Sequence, residues 1–195
     1  MGITKRATSR RRRGRLIFVV GGASSGKSEL GLLLAGRATA RAFIATGQPL
    51  DAEMAERIRR HRRSRGPVWD TAEVPIDLER WFRAKGQLYR AIVLDCLTLW
   101  LSNLREQGVP DTRILELVDT LLQAIRTVPA RVVVVTNELG MGLVPLEASA
   151  RRFRDLAGQI NQRVAREADE VYVVVSGLPM RIKPQSGMRV FRRTP

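Results

Sequence analysis

The sequence is poor in several residue types, and each shortage excludes a class of protein. Its 195 residues include one cysteine, Cys96, so no internal disulfide can form, and we expect the reducing environment of the cytoplasm. No apolar run approaches the roughly 18 residues of a membrane helix, so no membrane span is predicted. Histidine occurs once, at His61.

Acidic residues are missing from residues 1–15, which carry seven lysines and arginines. A net charge of +15 would suit a polyanionic partner. However, the basic segment has no aromatic side chain on which a base could stack, so we expect no nucleic-acid partner. It is not read as a signal peptide, because cleavage after the apolar run that follows would cut into the phosphate loop described below.

We therefore predict three parts: a disordered basic arm over residues 1–14, a single domain over residues 15–183 and a basic tail over residues 184–195. An apolar content of 44% is that of a globular protein, and the chain is long enough for one proper core.

The most informative stretch runs over residues 16–36. Its first five residues are apolar and predict a buried strand, and the leucines near its end recur at helical spacing. Between them the pattern G-x-x-x-x-G-K-[ST] is filled by Gly21, Gly22, Ala23, Ser24, Ser25, Gly26, Lys27 and Ser28. A strand, a glycine-rich loop and a helix in this order predict a phosphate-binding loop, or P-loop. We expect Lys27 to face solvent and bind the outer phosphates, and Ser28 to ligate Mg²⁺.

Short apolar runs alternate with helical patterns along the rest of the chain. Strands are predicted over residues 42–46, 91–95, 131–136 and 170–176. This alternation predicts an α/β fold with a mainly parallel sheet and helices on both faces, of the P-loop NTPase type and RecA-like in class. Ligands of such sheets bind at the carboxyl ends of the strands, where Asp95 is predicted as a second Mg²⁺ ligand.

His61 belongs to a helix predicted over residues 52–64, in which six of the nine residues 57–65 are arginines. Arginines at a helix C-terminus interact favourably with its dipole, but six exceed what that needs. A neutral imidazole can attack an α-phosphorus to form a phosphoramidate, and the arginines would offset the phosphate charge. The residues alone leave open whether His61 is this nucleophile or a surface residue beside Met54 and Ile58.

Together these segments resemble the family of bifunctional adenosylcobinamide kinases and adenosylcobinamide-phosphate guanylyltransferases. The resemblance covers residues 15–183 and rests on GGASSGKS, IATGQPLDAEMAERIRRHRRSRG, LDCLTLWLSNL and TNELGMGLVPLEASARRFRDLAGQINQRVAREADEVYVVVSG. It implies that a nucleoside triphosphate phosphorylates the terminal hydroxyl of the aminopropanol arm of adenosylcobinamide. It further implies that GTP guanylylates a histidine with loss of pyrophosphate, and that the GMP then passes to adenosylcobinamide phosphate to give adenosylcobinamide-GDP.

The same resemblance implies roles for individual residues. The guanylylated histidine falls on His61, although some members have two adjacent histidines where this chain has Arg60 and His61. The nucleotide contacts fall on the phosphate loop and on Ala45, Thr46, Gly47, Arg62, Arg63, Ser64, Arg65, Glu73 and Asp95. ATP and GTP are implied as substrates with Mg²⁺, the corrinoid as the partner and a homotrimer as the assembly.

Two other functions stay open at the level of sequence. A P-loop kinase for another small alcohol would leave the arginine-rich helix unexplained. A nucleic-acid-binding ATPase would suit the charge but lacks aromatic side chains in the arm. A signalling GTPase is disfavoured, because the chain contains no [NT]-K-x-D sequence with which to read a guanine base.

Overall fold

A seven-stranded sheet forms the centre of the protein. The computed structural model describes residues 14–183, apart from the side chains of residues 57 and 64; the predicted basic arm up to residue 13 and the predicted tail lie outside this range. The strands are β1 (Leu16–Gly21), β2 (Arg41–Ala45), β3 (Asp70–Glu73), β4 (Ala91–Asp95), β5 (Arg131–Asn137), β6 (Glu170–Val175) and β7 (Leu178–Lys183). Their order is β3-β2-β4-β5-β1-β6-β7. All neighbours pair in parallel except β6 and β7, so the predicted mainly parallel sheet is confirmed.

Helices cover both faces of the sheet, as the alternation of patterns predicted. They are α1 (Lys27–Ala35), α2 (Ala52–Arg65), α3 (Leu78–Lys85), α4 (Leu97–Glu106), α5 (Asp111–Thr127) and α6 (Ala148–Glu167). Side chains of α1 pack on one face against the inner strands, and α3 to α6 pack on the other. No helix within residues 14–183 combines the length and the apolar character that crossing a membrane requires. Gly14, which the sequence assigned to the arm, is buried, and a side chain there would meet the carbonyl oxygens of Val128 and Ala130.

The inner strands end at one edge of the sheet. Gly21 at the end of β1 pairs with Asn137 at the end of β5, and Ala45 at the end of β2 pairs with Asp95 at the end of β4. Two loops therefore begin at this edge, the phosphate loop and the loop over residues 138–147. The carboxylate of Asp95 lies at the same edge. This is the position at which parallel sheets bind their ligands.

Thr46 fastens two of these strand ends together. The sequence placed it in β2, but the strand ends one residue earlier. The Thr46 side chain is fully buried; its hydroxyl donates to the carbonyl of Cys96 (2.8 Å) and accepts from the backbone N–H of Cys96 (2.9 Å). The carbonyl of Thr46 in turn accepts from Asn103 Nδ2 at 2.8 Å. These contacts fix the backbone on the C-terminal side of Asp95.

Replacing Thr46 by valine should therefore destabilise the fold. Thr46→Val keeps the shape of the side chain but leaves the N–H and the carbonyl of Cys96 without their buried partner, at a cost of about 1–3 kcal/mol. Urea unfolding followed by circular dichroism measures the loss. Thr46→Ser, which retains the hydroxyl, is the matched control and should lose less; a valine variant as stable as the wild type would contradict the role of this hydroxyl.

Candidate functional site

The phosphate loop connects β1 to α1 and is shaped by two of its glycines. A Cβ at Gly21 would lie 2.6 Å from both Ser25 Oγ and the carbonyl oxygen of Val174, so no larger residue fits there. Gly26 has a φ of 90°, the left-handed region that glycine adopts without strain. No side chain caps the N-terminus of α1, so its first N–H groups are available to an anion, as are those of the loop.

Lys27 is more enclosed than the sequence suggested. We expected it to face solvent, but it is only 7% exposed, and its ammonium donates to the carbonyl of Gly22 at 2.8 Å. The ammonium is thus folded back over the loop, on the concave side where a phosphate chain would lie. A bound triphosphate would offer it a stronger, charged acceptor than this carbonyl.

Asp95 lies beside the start of α1 and accepts a hydrogen bond from the Ser28 hydroxyl. Burial raises the pKa of the Asp95 carboxyl above its ordinary value, and the Ser28 hydrogen bond and the positive charges nearby oppose that shift. They are the charges of His61 in its protonated form, of Lys27 and of Arg65. A hydroxyl and a carboxylate in contact are hard oxygen donors of the kind that Mg²⁺ takes alongside phosphate oxygens and water.

Helix α2 carries His61 to the phosphate loop. The helix begins with a side-chain cap, in which Asp51 Oδ1 accepts from the backbone N–H of Met54 at 2.7 Å. His61, three turns on, borders two connected spaces, which we name the central cleft and the polar opening. The central cleft has a volume of about 150 Å³ and is lined by Phe43, Ala45, Gly47, Met54, Ile58 and Leu99, and by Lys27, Ser28, His61, Arg65, Asp95, Cys96 and Asn137.

The polar opening lies between the phosphate loop and α2 and has a volume of about 440 Å³. Its lining consists of Ser24, Ser25, Gly26, Lys27, Ser28, Glu29, Glu53, Arg60 and His61. His61, Lys27 and Ser28 border both spaces. The structure therefore brings the lone histidine to the phosphate loop, which the residue pattern alone left open.

Arg65 is the arginine of α2 that enters the central cleft. It is 9% exposed, and its guanidinium lies over the ring of Phe43, 3.6 Å from the centroid. Its Nε donates to the carbonyl of His61 at 2.8 Å, whereas its Nη1 is buried with no hydrogen-bond partner among residues 14–183. Burial lowers the pKa of the Arg65 guanidinium, and the negative charge of Asp95 opposes this effect.

The remaining predicted contacts are distributed differently. Ala45 and Gly47 line the cleft, while the buried Thr46 side chain is bonded within the protein. Arg62 and Arg63 are exposed; Arg62 pairs loosely with Glu73 (3.8 Å), and Arg63 pairs with Glu56 (3.2 Å). The structure does not bring these two arginines or Glu73 into the cleft lining. The side chain of Ser64 lies outside the described part of the chain.

The sequence also gave no indication of several residues in the cleft wall. Phe43, Leu99 and Asn137 were not predicted as site residues, although the loop that begins at Asn137 was placed at the correct edge. Phe43 lies inside a short apolar strand, where the sequence does not distinguish a phenylalanine that lines a site from one that packs in the core. Only the tertiary contact with Arg65 identifies it.

A phosphate loop between β1 and an uncapped helix, with a carboxylate at the end of β4, two strands away in the same parallel sheet, defines a P-loop nucleotide-binding protein. The model of the cobinamide kinase / cobinamide phosphate guanyltransferase family matches residues 17–182. The chain belongs to this family of bifunctional, nucleotide-using enzymes.

Two characterised relatives are similar over nearly their full lengths. The bifunctional adenosylcobalamin biosynthesis protein CobU of Salmonella typhimurium is 42% identical over 180 residues, covering 86% of this chain and 99% of that protein. The bifunctional adenosylcobalamin biosynthesis protein CobP of Pseudomonas aeruginosa is 40% identical over 167 residues, covering 85% and 96%.

Solved structures with a similar course of the chain include a KaiC-like protein of Pyrococcus horikoshii, with a TM-score of 0.49 and 12% identity over 83% of this chain and 71% of that one. The RadB recombinase gives a TM-score of 0.47 and 18% identity over 83% and 74%.

The raised pKa of Asp95 predicts a stability effect of known sign. The Asp95 carboxyl has a higher pKa in the folded state than its ordinary value of 3.8, so the unfolded state releases this proton more readily. The free energy of unfolding therefore falls as the pH rises from the ordinary pKa through the raised one. In protein free of nucleotide and metal, Asp95→Asn should therefore be more stable than the wild type at pH 7. Urea midpoints measured at several pH values test this, and the difference should vanish below about pH 4.

Asp77→Asn is the control for that experiment, because it removes the carboxylate of an exposed residue before α3 and leaves Asp95 in place, so the gain in stability expected from removing a buried charge should be absent. An Asp95→Asn variant that is less stable than the wild type at pH 7 would mean that the neighbouring positive charges outweigh the cost of burial.

Proposed function

We propose that this chain phosphorylates adenosylcobinamide from a nucleoside triphosphate and then transfers GMP from GTP to adenosylcobinamide phosphate through a GMP adduct of His61. The observation that carries the proposal is the position of His61, which lines both the central cleft and the polar opening together with Lys27 and Ser28. A kinase alone needs the phosphate loop; a nucleophile facing that loop is what the second reaction needs.

In the kinase reaction the triphosphate lies on the N–H groups of the phosphate loop and of α1. Lys27 exchanges the carbonyl of Gly22 for the outer phosphates and stabilises the charge that develops on them. Ser28 and Asp95 would hold Mg²⁺, which would supply positive charge to the phosphate groups. The aminopropanol hydroxyl attacks the γ-phosphorus, the bond from the γ-phosphorus to the bridging oxygen breaks, and the hydroxyl proton leaves to solvent.

In the guanylyl reaction the attacked atom is the α-phosphorus of GTP. A ring nitrogen of neutral His61 forms the P–N bond, and the bond between the α-phosphorus and its bridging oxygen breaks to release pyrophosphate. Arg65 packs over the ring of Phe43 and donates to the carbonyl of His61. Its guanidinium would therefore lie near the reacting phosphate. A phosphate oxygen of adenosylcobinamide phosphate then attacks the adduct, which forms adenosylcobinamide-GDP and returns His61 to its free state.

The competing functions account for less of this site. A kinase for another small alcohol would use Lys27, Ser28 and Asp95 but would have no use for His61 and Arg65. A nucleic-acid-binding ATPase would need a surface for bases, and the basic arm offers no aromatic side chain for stacking. We propose ATP and GTP as the nucleotide substrates, the cytoplasm as the compartment and a homotrimer, by resemblance, as the assembly.

Removing the imidazole should separate the two reactions. His61→Ala should abolish the covalent GMP adduct and guanylyl transfer while leaving measurable cobinamide kinase activity, because the kinase step attacks a different phosphorus atom. The adduct is detected with GTP labelled at the α-phosphate, followed by denaturing electrophoresis. It should be labile in acid and stable in mild base, as a phosphoramidate is and a phosphoester of serine or threonine is not.

Arg59→Ala is the matched control, since Arg59 lies on the same helix but is exposed and paired with Glu56. That variant should form the adduct normally. Label that survives the His61→Ala change, or that resists acid, would contradict the assignment of His61 as the nucleophile.

Lys27 should behave differently from His61, because both reactions leave phosphate groups on the phosphate loop. Lys27→Ala should lower the rates of cobinamide phosphorylation and of adduct formation, each by about 10² or more. Single-turnover assays measure the two rates separately, and circular dichroism checks that the variant is folded. A Lys27→Ala variant with wild-type turnover and wild-type nucleotide affinity would contradict the assignment of this segment as the phosphate loop.

A further inference from the structure

An exposed apolar surface lies beside the central cleft. In the loop over residues 138–147, which we name the apolar loop, Leu143 is 97% exposed, Leu146 95% and Met141 83%. Next to it a groove of about 810 Å³ runs between α4 and the start of α6; we name it the α4–α6 groove. Its lining includes Leu139, Leu143, Pro145 and Phe153, together with Arg105 and Arg154. Contiguous exposed apolar side chains of this kind mark a binding surface.

The apolar loop is held open by its own hydrogen bonds. Arg151 Nη1 donates to the carbonyls of Pro145 (3.0 Å) and Leu146, and Arg154 Nη1 donates to the carbonyl of Leu143 (3.4 Å). At the other end, the N–H of Gly140 donates to Glu138 Oε1 at 2.7 Å. Because the backbone is tied to α6 and to its own first turn, the leucine side chains stay on the surface and do not fold into the core.

The groove and the central cleft are lined by nearby residues of the same two chain segments. Leu99 in the first turn of α4 lines the cleft, and Ser102, one turn later, lines the groove. Asn137 at the end of β5 lines the cleft, and Leu139, two residues on, lines the groove. A ligand seated in the groove can therefore extend a narrow arm toward Lys27 and His61.

Size and polarity then select the occupant. The central cleft, at about 150 Å³, cannot enclose a four-ring macrocycle, and the polar opening is lined by the phosphate loop. The α4–α6 groove offers apolar side chains for ring methyl groups and guanidinium groups for amide carbonyls. We propose that this groove binds the corrin ring of adenosylcobinamide and directs its aminopropanol arm into the central cleft; this rests on the proposed function.

In the proposed mechanism adduct formation from GTP requires no corrinoid, and the test uses this difference between the two substrates. Leu143→Gln and Arg154→Gln should raise the KM for adenosylcobinamide, and for adenosylcobinamide phosphate in the transfer step, by about tenfold or more, the order expected from losing one buried leucine contact. The KM for ATP and the rate of adduct formation should stay at wild-type values. Leu88→Gln, an equally polar change at a 69% exposed leucine beyond the other edge of the sheet, should alter none of these values.

Isothermal titration calorimetry with adenosylcobinamide should show the same loss of affinity in both groove variants, and sedimentation should show an unchanged mass. Wild-type KM values in both variants would overturn the groove assignment while leaving the proposed function intact. A changed mass, with KM restored at high protein concentration, would overturn it in favour of a contact between copies of the chain. A wild-type protein that forms no adduct and does not phosphorylate cobinamide would overturn both proposals together.

Discussion

The carboxylate of Asp95 is the constraint on which the site depends. Burial disfavours the ionised form of this carboxyl, whereas a hydrogen bond from the Ser28 hydroxyl and positive charges from the phosphate loop and α2 stabilise it. The position of this carboxylate is set by β4 and by the contacts between Thr46 and Cys96 that follow it. Groups from β4, α1 and α2 thus meet around this carboxylate at the same edge of the sheet. The positive groups among them, which are Lys27, Arg65 and the protonated form of His61, are of the kind that a nucleotide would need.

Most of the fold could be predicted from the sequence, because its signals are local. Buried parallel strands are short apolar runs, and the glycines, Lys27 and Ser28 of the phosphate loop form a pattern of eight consecutive residues. The ends of the strands were predicted less accurately. Threonine is typical of strands, but the hydroxyl of Thr46 is hydrogen-bonded to Cys96, 50 residues later, and the strand ends before it. The enclosure of Lys27 was missed for the same reason, since burial depends on elements distant in sequence.

The sequence predicts the kind of chemistry at the site but not the residues of its walls. The lone histidine and the arginine-rich helix predict a phosphate-binding surface, yet which arginine lines the cleft depends on the rotation of the helix and on the side chain that the arginine packs against. Arg65 enters because Phe43 lies under it, whereas Arg62 and Arg63 point to acidic side chains at the surface. All three residues are arginines in one short segment, and only the contact between α2 and Phe43 of β2 distinguishes Arg65 from the other two.

Helix α2 borders the candidate site but adds little to the core. Its described large apolar side chains, Met54 and Ile58, are half-buried and line the central cleft, and the core clusters among residues 14–183 do not include them. The helix forms for local reasons, a cap by Asp51 and pairs of Glu56 with the arginines that follow, each modest because it is exposed. Since these side chains stand outside the core clusters, α2 can direct His61 to the phosphate loop at little cost to the core. In the function proposed above, the second reaction is thus added to the fold through one helix, while the first uses the carboxyl ends of the parallel strands.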